Sequence, residues 1–368
     1  MQISAAVTRS ANAPFTLEQI EIDAPRDDEV LVRIVGVGLC HTDLVGAAGA
    51  FPLKFPAVMG HEGSGVVEQI GSKVTKVQCG DHVVLSMMSC GSCPNCEAHF
   101  PGNCYTGPAL NYLGTRSDGS KTLRDASGDI SGSFFGQSSF GSHALANQRN
   151  VIKIDKDAPL EIMGALGCGI QTGAGSIMRA MGCHKGSSLV ILGGGTVGLA
   201  AAMGAVVQGC ATIIVVEPMA SRREMALTLG ATHVIDPLNE DTKDAVLKIV
   251  PAGVQYIFDN TAMPKVVDQV CRYLAPRGVF GFVGIPKPED LGMKLPGAMV
   301  MAMQNGYTFK GIIEGDSDPD VFIPQLVELH KAGRLPFDKL IKKYPLAEIN
   351  RAVDEQHRGL CIKPVLLT

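Results

Sequence analysis

The chain has 368 residues, 46% hydrophobic and 18% charged, with a formal net charge of −4. That length exceeds one ordinary core and predicts two domains, while the slight acidity excludes a basic footprint for nucleic acid. No apolar run reaches the roughly 18 residues of a membrane span, and the opening MQISAAVTRS lacks an apolar signal core, so the odd count of 11 cysteines is expected as reduced thiols in cytoplasm.

In chain order, the first part carries short apolar runs such as Val30–Val37 and Gly65–Ile70, separated by Gly, Pro and Asp. That punctuation predicts an irregular β domain. From about residue 170 the pattern changes to strands alternating with helices. The strands are Ser188–Leu192, Thr212–Val216, His233–Ile235, Tyr256–Phe258 and Val279–Val283. The helices are Val197–Val207, Arg222–Leu229, Lys243–Val250 and Lys265–Leu274. Repeated βα units build a parallel sheet covered on both faces. Two amphipathic stretches, Val321–Lys331 and Ala347–Gln356, then lead to a strand at Pro364–Leu367. This tail is expected to rejoin the β domain, so that 1–169 and 314–368 form one domain and 170–313 the other.

Metal chemistry is written into the cysteines. Cys90, Cys93, Cys96 and Cys104 follow the spacing C-x2-C-x2-C-x7-C, and four thiolates so close can complete a tetrahedral zinc shell. A closed shell leaves no position for substrate, so the cluster reads as structural. Cys40, His61 and Cys168 are scattered, and three such ligands leave a fourth position open, as in a catalytic zinc site. Taken alone, Cys168 is no more than a small buried hydrophobe.

Gly193, Gly195 and Gly198 spell G-x-G-x-x-G directly after the strand Ser188–Leu192, with Val197 opening the helix that follows. The first glycine permits a tight turn, the second lets a pyrophosphate approach, and the third lets helix pack on strand. The helix N-terminus then offers free N–H groups to phosphate. Glu217 stands 19 residues past Gly198, at the end of the next strand, where an acid binds ribose hydroxyls and repels a 2′-phosphate. NAD is therefore expected, although Arg222 and Arg223 keep NADP in play.

These pieces together resemble the zinc-dependent medium-chain alcohol dehydrogenases. The resemblance rests on GLCHTD (Gly38–Asp43), GHEGSG (Gly60–Gly65), the four-cysteine lobe, LGCGIQTG (Leu166–Gly173) and the nucleotide fingerprint, in that order. The phrases LGCGIQTGAG and FFGQSSF favour the aryl-alcohol (benzyl alcohol) and geraniol dehydrogenase subgroup. The resemblance implies an α/β architecture, with a discontinuous GroES-like β domain and a Rossmann domain whose cleft holds the active site. It further implies NAD, two Zn²⁺ per subunit, a small alcohol or aldehyde substrate, and a homodimer or homotetramer.

Carried over by position, the resemblance makes Cys40, His61 and Cys168 the catalytic zinc ligands. Asp43 orients His61, with a turn or capping aspartate as the plainer role. Glu62 is the acid behind the zinc, or an ordinary salt-bridge partner. Thr42 takes the substrate proton. His41 and Lys363 reach the cofactor pyrophosphate, each otherwise a surface residue. Thr172 and Ile285 lie near the nicotinamide, while Phe134 and Phe135 line the substrate side or simply fill core. A histidine often ends the family's proton relay three residues past the threonine; here that position is Val45. A glutathione-linked formaldehyde dehydrogenase shares these sites, and a zinc-free quinone reductase shares only the fold. A non-catalytic zinc knuckle is the alternative of another class, disfavoured by the complete nucleotide fingerprint.

Overall fold

The computed structural model describes residues 1–368, and the chain divides into two units. The first comprises Met1–Gly169, Asp318–Ala332 and Phe337–Thr368. Its centre is the strand Glu29–Gly38, which pairs antiparallel with Gly63–Ile70, His143–Asn147 and Lys363–Leu367. Both faces of that strand are covered over most of its length, with Arg33 the exposed exception, which explains a largely apolar run in place of alternation. Val30, Val32, Ile34 and Val37 are all buried, each worth about 1.5–3 kcal/mol of burial. A second, five-stranded sheet holds Gln2–Thr8 between Phe15–Ile22 and Ala57–Val58.

The first unit takes up the chain again from Asp318. Ile341–Pro345 pairs parallel with Lys363–Leu367, which seats Val365 opposite Gly38. The change of unit comes at Asp318, not at residue 314. Glu314 stays with the second unit because its carboxylate accepts hydrogen bonds from Gln171 and Thr172. Asp318 then caps the helix Pro319–Lys331, accepting from the Asp320 N–H. Residues Gly333–Pro336 also belong to the second unit.

That second unit, Ile170–Ser317 with Gly333–Pro336, is built on six strands. They are β1 (Ser188–Leu192), β2 (Thr212–Val216), β3 (His233–Ile235), β4 (Val254–Asp259), β5 (Leu274–Phe282) and β6 (Thr308–Gly311). All neighbours are parallel, in the order β3-β2-β1-β4-β5-β6. This is the doubly wound dinucleotide-binding order. The helix Thr196–Gln208 leaves β1 and stops at Gly209, whose φ of 75° suits glycine. The predicted helix Lys265–Leu274 breaks into Pro264–Val267 and a 3₁₀ turn, Val270–Arg272. Leu274 instead opens β5, paired with Val254. A short apolar stretch fits either period, and the neighbouring strand decides. No helix is long and apolar enough to cross a membrane.

Candidate active site and metal centres

Three separate segments of the first unit converge on one point. Cys40 caps the helix His41–Ala47 in an extended conformation. Asp43, in the first turn, accepts from the Cys40 N–H at 2.9 Å through one oxygen. Its other oxygen takes the Gly60 N–H at 3.0 Å and faces His61 Nδ1 at 2.7 Å. A carboxylate can only accept, so Nδ1 carries a proton and Nε2 is turned away from Asp43. His61 Nε2 is buried without a hydrogen-bond partner. Around it, the ligand atoms of Cys40, His61, Glu62 and Cys168 all lie within 4.8 Å of one another. Two sulfurs, an imidazole nitrogen and a carboxylate, with that nitrogen otherwise unpartnered, fit Zn²⁺.

Electrostatics support the same assignment. The Cys168 thiol, then His61 and Lys363, hold Cys40 well below the usual thiol range against the cost of burial. Burial opposes charge on His61, but Asp43 and Cys40 outweigh it and raise its pKa well above the ordinary value. The cluster thus favours a cation among its donors, and a zinc ion held there would take the place of the imidazole proton.

Glu62 backs this cluster. Burial pushes its pKa up to about 7, partly offset by Lys363, and its Oε1 accepts from the Gly169 N–H at 3.2 Å. Lys363 is not the surface residue that the sequence suggests: it is 1% exposed, ion-paired with Glu62, and donates to the Leu39 carbonyl at 3.2 Å. The resemblance aimed that ammonium at a pyrophosphate; the fold turns it inward onto Glu62. Gly38 makes room for the pair, since a Cβ there would collide with Glu62 Oε2 and crowd Lys363.

The second cluster is local. The four sulfurs of Cys90, Cys93, Cys96 and Cys104 lie within 4.8 Å of one another, with Cys90 and Cys96 3.9 Å apart. Tetrahedral zinc with bonds of about 2.3 Å separates its sulfurs by roughly 3.8 Å, so this set also fits. Backbone N–H groups aim at the sulfurs: Ser92, with help from Cys104 and Cys93, lowers Cys90 to about 6, and Tyr105 and Cys96 lower Cys93. Burial, with the neighbouring Cys93, Cys104 and Cys90 thiols, pushes Cys96 up to about 11, against the Gly91 N–H.

An aromatic shell encloses His61. The Phe135 ring stacks on the imidazole at 4.5 Å, and Phe134 meets it edge-on at 5.8 Å. Phe51 stacks on Tyr112 at 4.6 Å, and these rings reach Phe134 and Phe135. The segment after Cys104 contributes to this shell, because its helix Gly107–Tyr112 delivers the Tyr112 ring. Thr42 Oγ1 sits 3.8 Å from Cys40 Sγ, half-buried, and His41 is exposed. Val45 lies on the same short helix as Thr42.

In the second unit the three loop glycines differ in backbone and in surroundings. Gly193 has φ of 97°, a Cβ on Gly195 would meet open space, and one on Gly198 would collide with the Gly193 carbonyl. Glu217 follows β2 and accepts from the Gly194 N–H at 2.7 Å and the Met219 N–H at 2.9 Å. The carboxylate thus stands against the glycine loop. Arg223 is held by the Glu217 and Pro218 carbonyls and by Asp236, whereas Arg222 Nε is buried without a partner. The Thr172 hydroxyl is engaged by Glu314, and Ile285 is exposed after β5.

Comparison with known proteins follows this geometry closely. Residues 26–156 match the alcohol dehydrogenase GroES-like domain, and residues 196–330 match the zinc-binding dehydrogenase domain. The geraniol dehydrogenase of Castellaniella defragrans is 44% identical over 365 residues, spanning 99% of this chain and 97% of that protein. The chain is a zinc-binding medium-chain alcohol dehydrogenase. A crystal structure of benzyl alcohol dehydrogenase from Acinetobacter calcoaceticus superposes with a TM-score of 0.95 at 40% identity, covering 100% of this chain and 99% of that one. An alcohol dehydrogenase zinc-binding domain protein from Burkholderia ambifaria gives a TM-score of 0.97 at 47% identity, with 100% and 99% coverage.

Two supports of this dehydrogenase escape sequence reasoning. Buried Gln137 donates to the His61 and Ser86 carbonyls and accepts from the Gly63 N–H and Ser139 hydroxyl, pinning the backbone that carries His61. Its signal is a lone amide between the phenylalanines of FFGQSSF. Asn260 donates to the Leu192 and Gly193 carbonyls at 2.7 and 3.0 Å, bracing the glycine loop. Nothing in the local pattern around Asn260 marks that role.

Proposed function

We propose that this dehydrogenase interconverts primary aromatic or allylic alcohols, of the benzyl, cinnamyl or geraniol type, and their aldehydes with NAD. The observation that carries the reading is the aromatic cluster at His61, where buried Phe134 and Phe135 pack on the imidazole and the only partly buried rings of Phe51 and Tyr112 lie beside them. Flat or allylic substrates gain from burial and stacking on such walls. The names of the geraniol and benzyl alcohol dehydrogenases among its relatives support the same substrate class. A zinc ion at Cys40, His61 and Cys168 would supply Lewis acidity to an alcohol oxygen, and bound nicotinamide would accept the hydride.

The chain's own residues do the remaining work. Asp43 holds the tautomer and orientation of His61. Thr42 receives the hydroxyl proton at Oγ1 and, with valine at position 45, hands it on without an imidazole there. Glu217 selects the unphosphorylated ribose of NAD, beside the glycine loop that receives its pyrophosphate. A second zinc, on Cys90, Cys93, Cys96 and Cys104, holds their lobe together.

The test is a panel of benzyl, cinnamyl, geranyl and short aliphatic alcohols, assayed with NAD and with NADP. One arm supplies formaldehyde with glutathione. We expect the highest kcat/KM with NAD and an aryl or allylic alcohol. A preference for ethanol, or activity only with glutathione present, overturns the substrate assignment. In the same assay Thr42→Ala should cost about 10²–10⁴-fold in oxidation, the usual span for a lost proton-transfer group; full activity removes Thr42 from the relay.

A further inference from the structure

Away from the metal and cofactor residues, the second unit brings two cysteines together. Cys183 follows the helical turns Ser176–Ala180, and Cys210 lies between the cap Gly209 and β2. The two segments are tied side by side. Gly186 N–H donates to the Gly209 carbonyl, Ala211 N–H to the Ser187 carbonyl, and the Gln208 amide to the Cys183 carbonyl at 2.8 Å. These ties bring the two thiols near enough that each shifts the other's proton affinity, and Cys210 Sγ sits 3.4 Å from Ser187 Oγ. Cys183 is 1% exposed, whereas Cys210 is partly open to solvent.

We propose that Cys183 and Cys210 form a peroxide-responsive dithiol, with Cys210 as the attacking sulfur and Cys183 as the resolving one. The Cys183 thiol, with smaller help from Ser187 and His184, lowers Cys210 to about 6 against the cost of burial, while Cys183 is held protonated by the neighbouring Cys210 and by burial. This division suits the chemistry, since the accessible sulfur is the thiolate. Cys210 thiolate attacks one oxygen of hydrogen peroxide; the O–O bond breaks, hydroxide leaves, and a sulfenic acid forms. With Cys210 now uncharged, Cys183 loses the repulsion that kept its proton. Its sulfur attacks the sulfenic sulfur, an S–S bond forms, and water departs. In sum, two thiols give up two electrons and two protons, and one peroxide becomes two waters. A dithiol reductant reverses the change.

The bond would join the segments just before β1 and β2, at the opposite strand ends from the glycine loop. Turnover should therefore survive, and thermal unfolding should move upward. The experiment treats the zinc-loaded protein with increasing hydrogen peroxide. Peptides are mapped by mass under non-reducing conditions, while a chromogenic chelator follows released zinc. We expect a cross-linked Cys183–Cys210 peptide, two hydrogens lighter than the free pair, at peroxide levels below those that release zinc. Dithiothreitol should abolish it and return the unfolding midpoint to its starting value. In Cys183→Ala, Cys210 should be trapped as sulfenic acid and proceed to sulfinic acid. Zinc release before any cross-link, or sulfinic Cys210 in the unsubstituted chain without a cross-link, overturns the proposal.

Discussion

The two metal-binding clusters achieve similar donor spacing by opposite means. Cys90, Cys93, Cys96 and Cys104 come from one stretch of 15 residues, and neighbouring backbone N–H groups lower Cys90 and Cys93. Cys40, His61 and Cys168 come from three segments, with His61 buried and the two cysteines partly so, and depend on charges brought from elsewhere: Asp43, Glu62 and Lys363. The first cluster is a closed set suited to holding a lobe. The second keeps its geometry through a scaffold of long-range bonds. One teaches that a local motif can carry its own stability, the other that a reactive centre is held from outside.

The sharpest way to break the comparison is to remove one sulfur from each. Cys168→Ser should abolish alcohol oxidation to the detection limit while leaving one zinc per chain by elemental analysis. Cys96→Ser should lower the unfolding midpoint by on the order of 10 °C, because an opened shell forfeits folding energy, while the remaining folded fraction retains turnover. If both variants lose activity with unchanged stability, the division of roles is wrong.

A smaller lesion tests the outside scaffold. Gly38→Ala should drive a methyl group into Glu62 and Lys363, at a cost of about 1–3 kcal/mol for overpacking, with reduced zinc retention at the open site only. Dialysis against a chelator, followed by zinc analysis, reads this directly. Asp43→Asn should weaken metal affinity or activity by about 10–100-fold, since the carboxamide can present an N–H to His61 Nδ1 and favour the wrong tautomer. Unaltered zinc affinity and kcat would detach Asp43 from the centre.

The smallest expected effect lies in the second unit. Glu217→Ala removes the acceptor for Gly194 and Met219 N–H groups and the charge facing an adenosine ribose. It should raise KM for NAD and shift the NAD-to-NADP ratio of kcat/KM by roughly tenfold, about 1.4 kcal/mol. An unchanged ratio would mean that Glu217 serves the loop alone.

Local pattern was enough for the four-cysteine cluster, for the glycine loop with Glu217 behind it, and for most of the strand–helix alternation. Each depends on residues close in sequence, where spacing nearly dictates geometry. The trio Cys40, His61 and Cys168 was legible only through the flanking resemblance, because no spacing rule joins such distant ligands. Tertiary structure alone decided the rest. Lys363, given by resemblance to the cofactor pyrophosphate with a surface lysine as the alternative, is carried by β-pairing of the tail to Leu39, 324 residues away, and buried against Glu62. Glu314 keeps residues 314–317 in the second unit through Gln171 and Thr172, and Val254 draws Leu274 out of a predicted helix into β5. The physical reason is common to all three. A buried charge or backbone group must find a partner, and which partner is near depends on how the whole chain has folded.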